Sequence, residues 1–246
     1  MPAKRGGSST QGKSGPAEKK VEKKSEPSAM DAQNTDELIQ YMKKKYGISM
    51  YKSDLDKADF ETIKEQVSAL EEVLQEFPGA QKAFRGFEVL KPKAMAKPSY
   101  YAQASMMSGV IMLNSKYFAN PTAANAKYKL DLATKFHPEG TTLRNVTTHE
   151  AGHILERALV LKYLPSVSDY AARVDAYSGG RFADEVVRRA VNRLGKADKS
   201  MGKSYLREQI SRYATTNFQE TLAEGVADYM ANRSKAKPLS KAIYKV

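Results

Sequence analysis

His149 and His153 stand four residues apart in the stretch Thr147-Thr148-His149-Glu150-Ala151-Gly152-His153-Ile154-Leu155, and this spacing is the tightest local constraint in the chain. Residues four apart on an α-helix lie one above the other on the same face. A helix here therefore aims two imidazole nitrogens at one point, as a tetrahedral Zn²⁺ requires. Glu150, one position on, is placed to reach a water on that metal without being a ligand itself. Two of the chain's 3 histidines are in this stretch. The competing reading is a polar helix face that carries two histidines and no ion.

Composition narrows what can complete such a site. There is no cysteine among the 246 residues, so thiolate ligands and a disulfide framework are both excluded, and any further ligand must be His, Asp or Glu. An apolar fraction of 41% is enough for a core, while a mean hydropathy of -0.58 implies that part of the chain stays solvated. No apolar run reaches the 18 residues that a membrane span needs. Residues 1–30 lack the apolar segment of a secretory signal, so a cytoplasmic location is expected. The net charge of +12 permits attraction to nucleic acid or to acidic partners, or serves solubility alone.

Read in order, the chain opens with residues 1–33, rich in Lys, Ser, Gly, Pro and Glu. This basic tail cannot bury enough surface to offset its ordering entropy and is expected to be disordered. Residues 34–80 read as a helical N-terminal segment. Asn34 caps one helix that Gly47 ends, and Phe60, Ile63, Val67, Leu70, Leu74 and Phe77 form the stripe of a second over 57–77, stopped by Pro78-Gly79. From residue 81 to 246 a third unit is expected. Phe87–Leu90 reads as a short strand, and Tyr100–Ala104 with Gly109–Asn114 as a hairpin. Residues 120–140 read as loop, leaving His137 a solvent-exposed loop histidine. Thr141 or Thr142 caps the His149 helix, which runs to about Leu161 over a stripe of Val146, Ile154, Leu155, Ala158 and Leu161. Gly152 inside that helix is unfavourable by about 1 kcal/mol relative to Ala, which close approach of another backbone would offset. Further helices are expected over 182–194 and 205–213, with a basic loop at 196–203.

Two histidines hold zinc poorly, and no histidine follows His153, so the third ligand must be a carboxylate. The stretch Tyr213 to Tyr229 offers Glu220 and Glu224, four apart on one helix face behind an Asn217 N-cap. A catalytic zinc site needs one carboxylate to complete its coordination, and it benefits from a second that orients a ligand imidazole through its other nitrogen. Glu220 has an equal competing reading, as the acid of a capping box with Asn217.

The pattern Tyr213-x-x-x-Asn217-x-x-Glu220-x-x-Ala223-Glu224 after a His-Glu-x-x-His helix resembles the catalytic domain of anthrax-toxin lethal factor, with similar domains in phage head-morphogenesis and mobile-element proteins. The likeness runs in order over roughly residues 84–232 and includes an apolar strand ending in Leu113-Asn114. It implies an α+β, zincin-like fold: a small mixed sheet, an active-site helix and a helical C-terminal subdomain. It also implies a zinc metallopeptidase, with His149, His153 and Glu220 as ligands, Glu150 as general base and Tyr213 assisting catalysis. Glu224 would support a ligand from behind. A phage origin would place the protein in host cytoplasm or virion. The chain lacks the toxin's docking and delivery regions, so toxin function does not transfer. The expected partner is a protein or peptide substrate, paired in extended form with Val110, Ile111 and Met112 if that strand lies at a sheet edge; plain sheet packing is the equal competing reading of the strand. The alternative is a non-catalytic zinc-binding structural or nucleic-acid-associated protein, using the basic tail and the cluster Arg188, Arg189, Arg193, Lys196, Lys199 and Lys203.

Overall fold

The computed structural model describes residues 26–164, 170–195 and 202–246. Most of the proposed tail, Pro165 and most of the basic loop fall outside them. The chain is mixed α+β and mostly helical, around one small sheet.

Order begins earlier than Asn34. Ser28 caps a short 3₁₀ turn, Ala29–Asp31, and both Ala29 and Ala32 are buried. The Ala29 N–H donates to the Glu71 carboxylate at 2.7 Å, a long-range tie that a local reading of composition cannot see. Helix α1 (Thr35–Tyr46) starts where Asn34 accepts the Glu37 N–H and ends at Gly47 with φ +70°, a left-handed conformation that glycine adopts without strain. A short α2 (Lys52–Leu55) precedes α3 (Phe60–Glu76). Asp59 caps α3 through the Thr62 N–H, which moves its start from 57 to 60. Ile63, Val67, Leu70 and Leu74 are buried along one stripe, as expected.

The sheet has the order β1-β3-β2, from β1 (Gly86–Leu90), β2 (Ala102–Ser105) and β3 (Val110–Asn114). β2 and β3 form the expected antiparallel hairpin, and β1 joins β3 in parallel. This places β3 in the centre, hydrogen-bonded on both sides. The condition for substrate pairing at β3, a place at the sheet edge, is therefore not met, and the strand serves sheet packing. A hairpin signal is local, whereas the β1 pairing that buries β3 is not.

After a short α4 (Ser115–Phe118), residues 120–140 are not all loop. Asn120 accepts the Ala123 N–H and Pro121 takes the first helical position, starting α5 (Pro121–Ala133). Proline is favoured there because its missing N–H would be unpaired anyway. The polar composition hid this helix. Next come α6 (Asn145–Tyr163), α7 (Tyr170–Ser178), α8 (Arg181–Arg193), α9 (Lys203–Gln209), α10 (Phe218–Asn232) and α11 (Pro238–Tyr244).

Helix α6 is the centre of the packing, touching α3, β2, β3 and α10. Val146 and Ile154 are buried, but Leu161 at the expected end of the stripe is exposed. A Cβ on Gly152 would lie 2.6 Å from Ala223 Cα, so α6 and α10 meet almost backbone to backbone, as the glycine suggested. Leu38, Ile63 and Leu70 from the N-terminal segment share one core cluster with Phe87, Ile111, Ile154, Leu239 and Ile243. Described residues on both sides of residue 80 thus belong to one cluster. Each of the larger side chains contributes about 1.5–3 kcal/mol on full burial.

Candidate metal centre

The first turn of α6 is fastened from outside. Gln66 on α3, fully buried, accepts from Thr147 Oγ1 at 2.7 Å and from the Thr147 N–H at 3.3 Å, and donates to the Leu143 carbonyl at 3.1 Å. One side-chain amide thus satisfies a backbone donor at a helix start that has no partner within the helix. The expected threonine cap is replaced by this arrangement: Thr142 lies outside the helix and donates its N–H to Asn145 Oδ1.

One turn on, His149 and His153 face the same point, with ring centroids 5.1 Å apart. Helix α10 brings Glu220 opposite them. Glu220 Oε2 lies 3.1 Å from His149 Nε2 and 3.4 Å from His153 Nε2, and donor atoms of the three residues lie within 4.8 Å of one another. The three can hold a metal ion. Two further observations fit a cation there. Glu220 Oε2 is shielded from solvent and faces only the two imidazole Nε2 atoms, so a cation between them would take up its charge. Burial disfavours the cationic form of His149, yet Glu220 and Glu224 outweigh it and raise its pKa, so the local field favours positive charge.

The two readings of Glu220 now separate. Asn217 Oδ1 accepts the Glu220 N–H at 2.8 Å, so the backbone of Glu220 is capped. Its carboxylate turns to the histidines and accepts the Tyr213 hydroxyl at 3.1 Å on Oε1. Burial acts to raise the Glu220 pKa, but the two histidines outweigh it and hold it well below the usual carboxylate range.

Glu224, one turn further along α10, is fully buried behind His149. Its Oε1 is 2.8 Å from His149 Nδ1 and its Oε2 accepts the Ser211 hydroxyl at 2.6 Å. Burial would raise its pKa, yet His137 and His149 together hold it at about 2. It thus lies on the ring nitrogen of His149 opposite the one that faces Glu220.

Glu150 is buried next to the ligand pair. Burial raises its pKa, opposed by His149 and His153 and by the backbone N–H of Ala104 on β2. Tyr213 lies in a 3₁₀ turn, Tyr213–Thr215, before α10. Its ring stacks between Phe136 (4.9 Å) and His149 (5.7 Å), and burial followed by the charge of Glu220 raises its pKa.

These groups line one cavity of about 680 Å³, whose walls include Tyr100, Tyr177 and the β2 strand. Val110, Ile111 and Met112 are not among its lining residues. They sit in the central strand, with Ile111 wholly buried, so they cannot pair with a substrate backbone. The strand beside the site is β2. Tyr101 and Ser105 carbonyls accept from Asn114 and Gly109 on the β3 side. Alternation in an antiparallel ladder then turns the Ala102 and Ala104 backbone groups to the outer edge.

His137 is also corrected, from exposed loop residue to site neighbour. It is only 11% exposed, stacks on Tyr128 at 4.6 Å, and has Nδ1 3.4 Å from Glu224 Oε1. Ser211, Gln66 and Glu156 escaped the sequence reading altogether. Glu156, three residues beyond His153 and wholly buried, accepts the Ala183 N–H and the Gln219 amide, each at 3.0 Å. It joins the starts of α8 and α10 to α6.

In the basic cluster, Arg188 and Arg189 pair with Asp184 and Glu185 one turn earlier, and Arg193 bonds the Lys245 carbonyl. Lys196 and Lys199 lie outside the described residues, and Lys203 opens α9. Among the described residues, no helix is long and apolar enough to cross a membrane. The chain matches no family model, no curated protein and no solved structure.

Proposed function

We propose that this chain is a zinc-dependent metalloendopeptidase with a zincin-like catalytic unit. The observation that carries the reading is the convergence of His149, His153 and a solvent-shielded Glu220 oxygen on one point, with Glu150 and Tyr213 in the same cavity. Two imidazoles and one carboxylate, with thiolates excluded, are the donor set of a hydrolytic zinc site that keeps a position open. Zn²⁺ held by His149, His153 and Glu220 supplies the Lewis acidity that makes water a nucleophile near neutral pH.

Glu150 accepts the proton of the attacking water on its carboxylate and passes it to the leaving amine. The Tyr213 hydroxyl turns its one proton from Glu220 Oε1 to the oxyanion as charge develops on the scissile carbonyl oxygen. Glu224 holds the Nδ1 side of His149, so that Nε2 stays turned to the metal. The substrate backbone lies extended along the outer edge of β2, where Ala102 presents its main-chain groups and Ala104 its carbonyl, and the cavity walls sort its side chains. This assigns to β2 the role that the sequence suggested for β3.

The nucleic-acid alternative gains nothing from α8, whose Arg188 and Arg189 are already ion-paired along the helix surface. The test is zinc-loaded protein against a random peptide library, wild type beside Glu150→Gln. The reading predicts cleavage by wild type and a loss of about 10²–10⁴-fold in the variant, the usual contribution of a general base, with zinc content retained. Unchanged cleavage in Glu150→Gln, or none by zinc-loaded wild type, contradicts it.

A further inference from the structure

Among the buried titratable groups that the mechanism leaves unused, His137 lies nearest to the metal ligands. We infer that His137 is a positioning residue for the metal centre: through Glu224 it fixes how His149 presents its Nε2 to the ion. The inference rests on the metal-binding part of the reading above and not on peptide hydrolysis.

Glu224 Oε1 faces two imidazoles, His149 Nδ1 at 2.8 Å and His137 Nδ1 at 3.4 Å, while Oε2 takes the Ser211 hydroxyl. With His137 removed, Oε1 would have one partner and the carboxylate could pivot on its Ser211 bond. The His137 ring is itself held firmly. It stacks on Tyr128 with an interplanar angle of 4° and stands edge-on to Phe136, and the Tyr128 hydroxyl is tied to Thr141 Oγ1 at 2.9 Å. His137 Nε2 is buried without a hydrogen-bond partner, so the polar contact of the ring is at Nδ1. Packing alone does not account for an imidazole here. A phenyl ring would stack on Tyr128 equally well and would bury no unpaired nitrogen. The Nδ1 contact to Glu224 is what only the imidazole supplies.

The test compares His137→Asn with His137→Phe by Zn²⁺ titration against a competing chelator. The asparagine amide nitrogen falls near the place of Nδ1 and keeps a donor for Glu224, whereas phenylalanine keeps the stack and loses the donor. The positioning role predicts zinc affinity close to wild type in Asn and about 10–100-fold weaker in Phe, the usual effect of losing an outer partner. A packing role predicts the reverse order. Zinc binding by Phe as tight as wild type, or by Asn as weak as Phe, overturns the inference. A wild type that binds no zinc overturns the metal centre itself, which is a different result. Should either variant fail to fold, ¹⁵N NMR of the three imidazoles in zinc-free wild type decides. A proton on His137 Nδ1 supports the role, and a proton on Nε2 alone overturns it.

Discussion

Asn217 and Glu220 divide two tasks that the sequence alone leaves on one side chain. Asn217 caps α10 by accepting the Glu220 N–H, and this frees the Glu220 carboxylate for the histidines. Replacing Glu220 by alanine therefore leaves the cap in place. Zinc affinity should fall by more than the roughly 10–100-fold expected for Glu224→Ala, which removes only an outer partner. Helix content by circular dichroism should be unchanged in Glu220→Ala. Equal zinc loss in the two variants would contradict the division between ligand and support. A second residue, Glu71, lies far from the site and governs stability. Burial acts to raise its pKa, but the Ala29 N–H, the Tyr41 and Tyr46 hydroxyls and Lys45 outweigh it and lower the pKa below that of a free glutamate. A depressed folded-state pKa means stability that is present above the unfolded value and lost as pH falls through the folded one. Glu71→Gln should thus lose roughly 1–3 kcal/mol at pH 7, with the gap to wild type closing below about pH 4. Urea denaturation at both pH values measures it, and a gap that widens in acid would contradict the sign.

At the scale of elements, the α6–α10 contact sets the geometry. Gly152→Ala gains about 1 kcal/mol in helix propensity, but its Cβ would meet Ala223 Cα at 2.6 Å. Overpacking of this kind costs about 1–3 kcal/mol, so the variant should melt below wild type and bind zinc more weakly, because the ligands sit on the two helices being pushed apart. A melting temperature at or above wild type would refute the close contact. The same pair of helices shows what the sequence could reveal. The four-residue spacings of His149 with His153 and of Glu220 with Glu224, the Asn217 cap and the glycine are local features that periodicity exposes. The partner of Glu224 in His137 is 87 residues away, and nothing local marks it. Nor does a hairpin announce which of its strands a distant β1 will cover, so the sequence leaves open whether Val110, Ile111 and Met112 lie at an edge or in the centre. Helix α5 did carry its signal, Asn120 followed by Pro121, beneath a polar composition that reads as loop.

Across the whole molecule, residues 26–80 act as a brace for the site. Gln66 holds the start of α6, Arg144 at that start pairs with Glu72 at 2.8 Å, and Ile63, Val67 and Leu70 belong to the same core as Ile154. A fragment of residues 81–246 should consequently lack the sharp cooperative melting of the full chain, as calorimetry would report; a fragment that melts cooperatively and binds zinc with full affinity would show that the brace is dispensable. The central claim is that the chain holds a zinc ion on His149, His153 and Glu220, and elemental analysis after zinc loading and dialysis tests it most directly. The account predicts about one zinc per chain, as for a mononuclear site, and near-background zinc in His153→Ala and Glu220→Ala. Background zinc in the wild type, or a full equivalent retained in both variants, would contradict it.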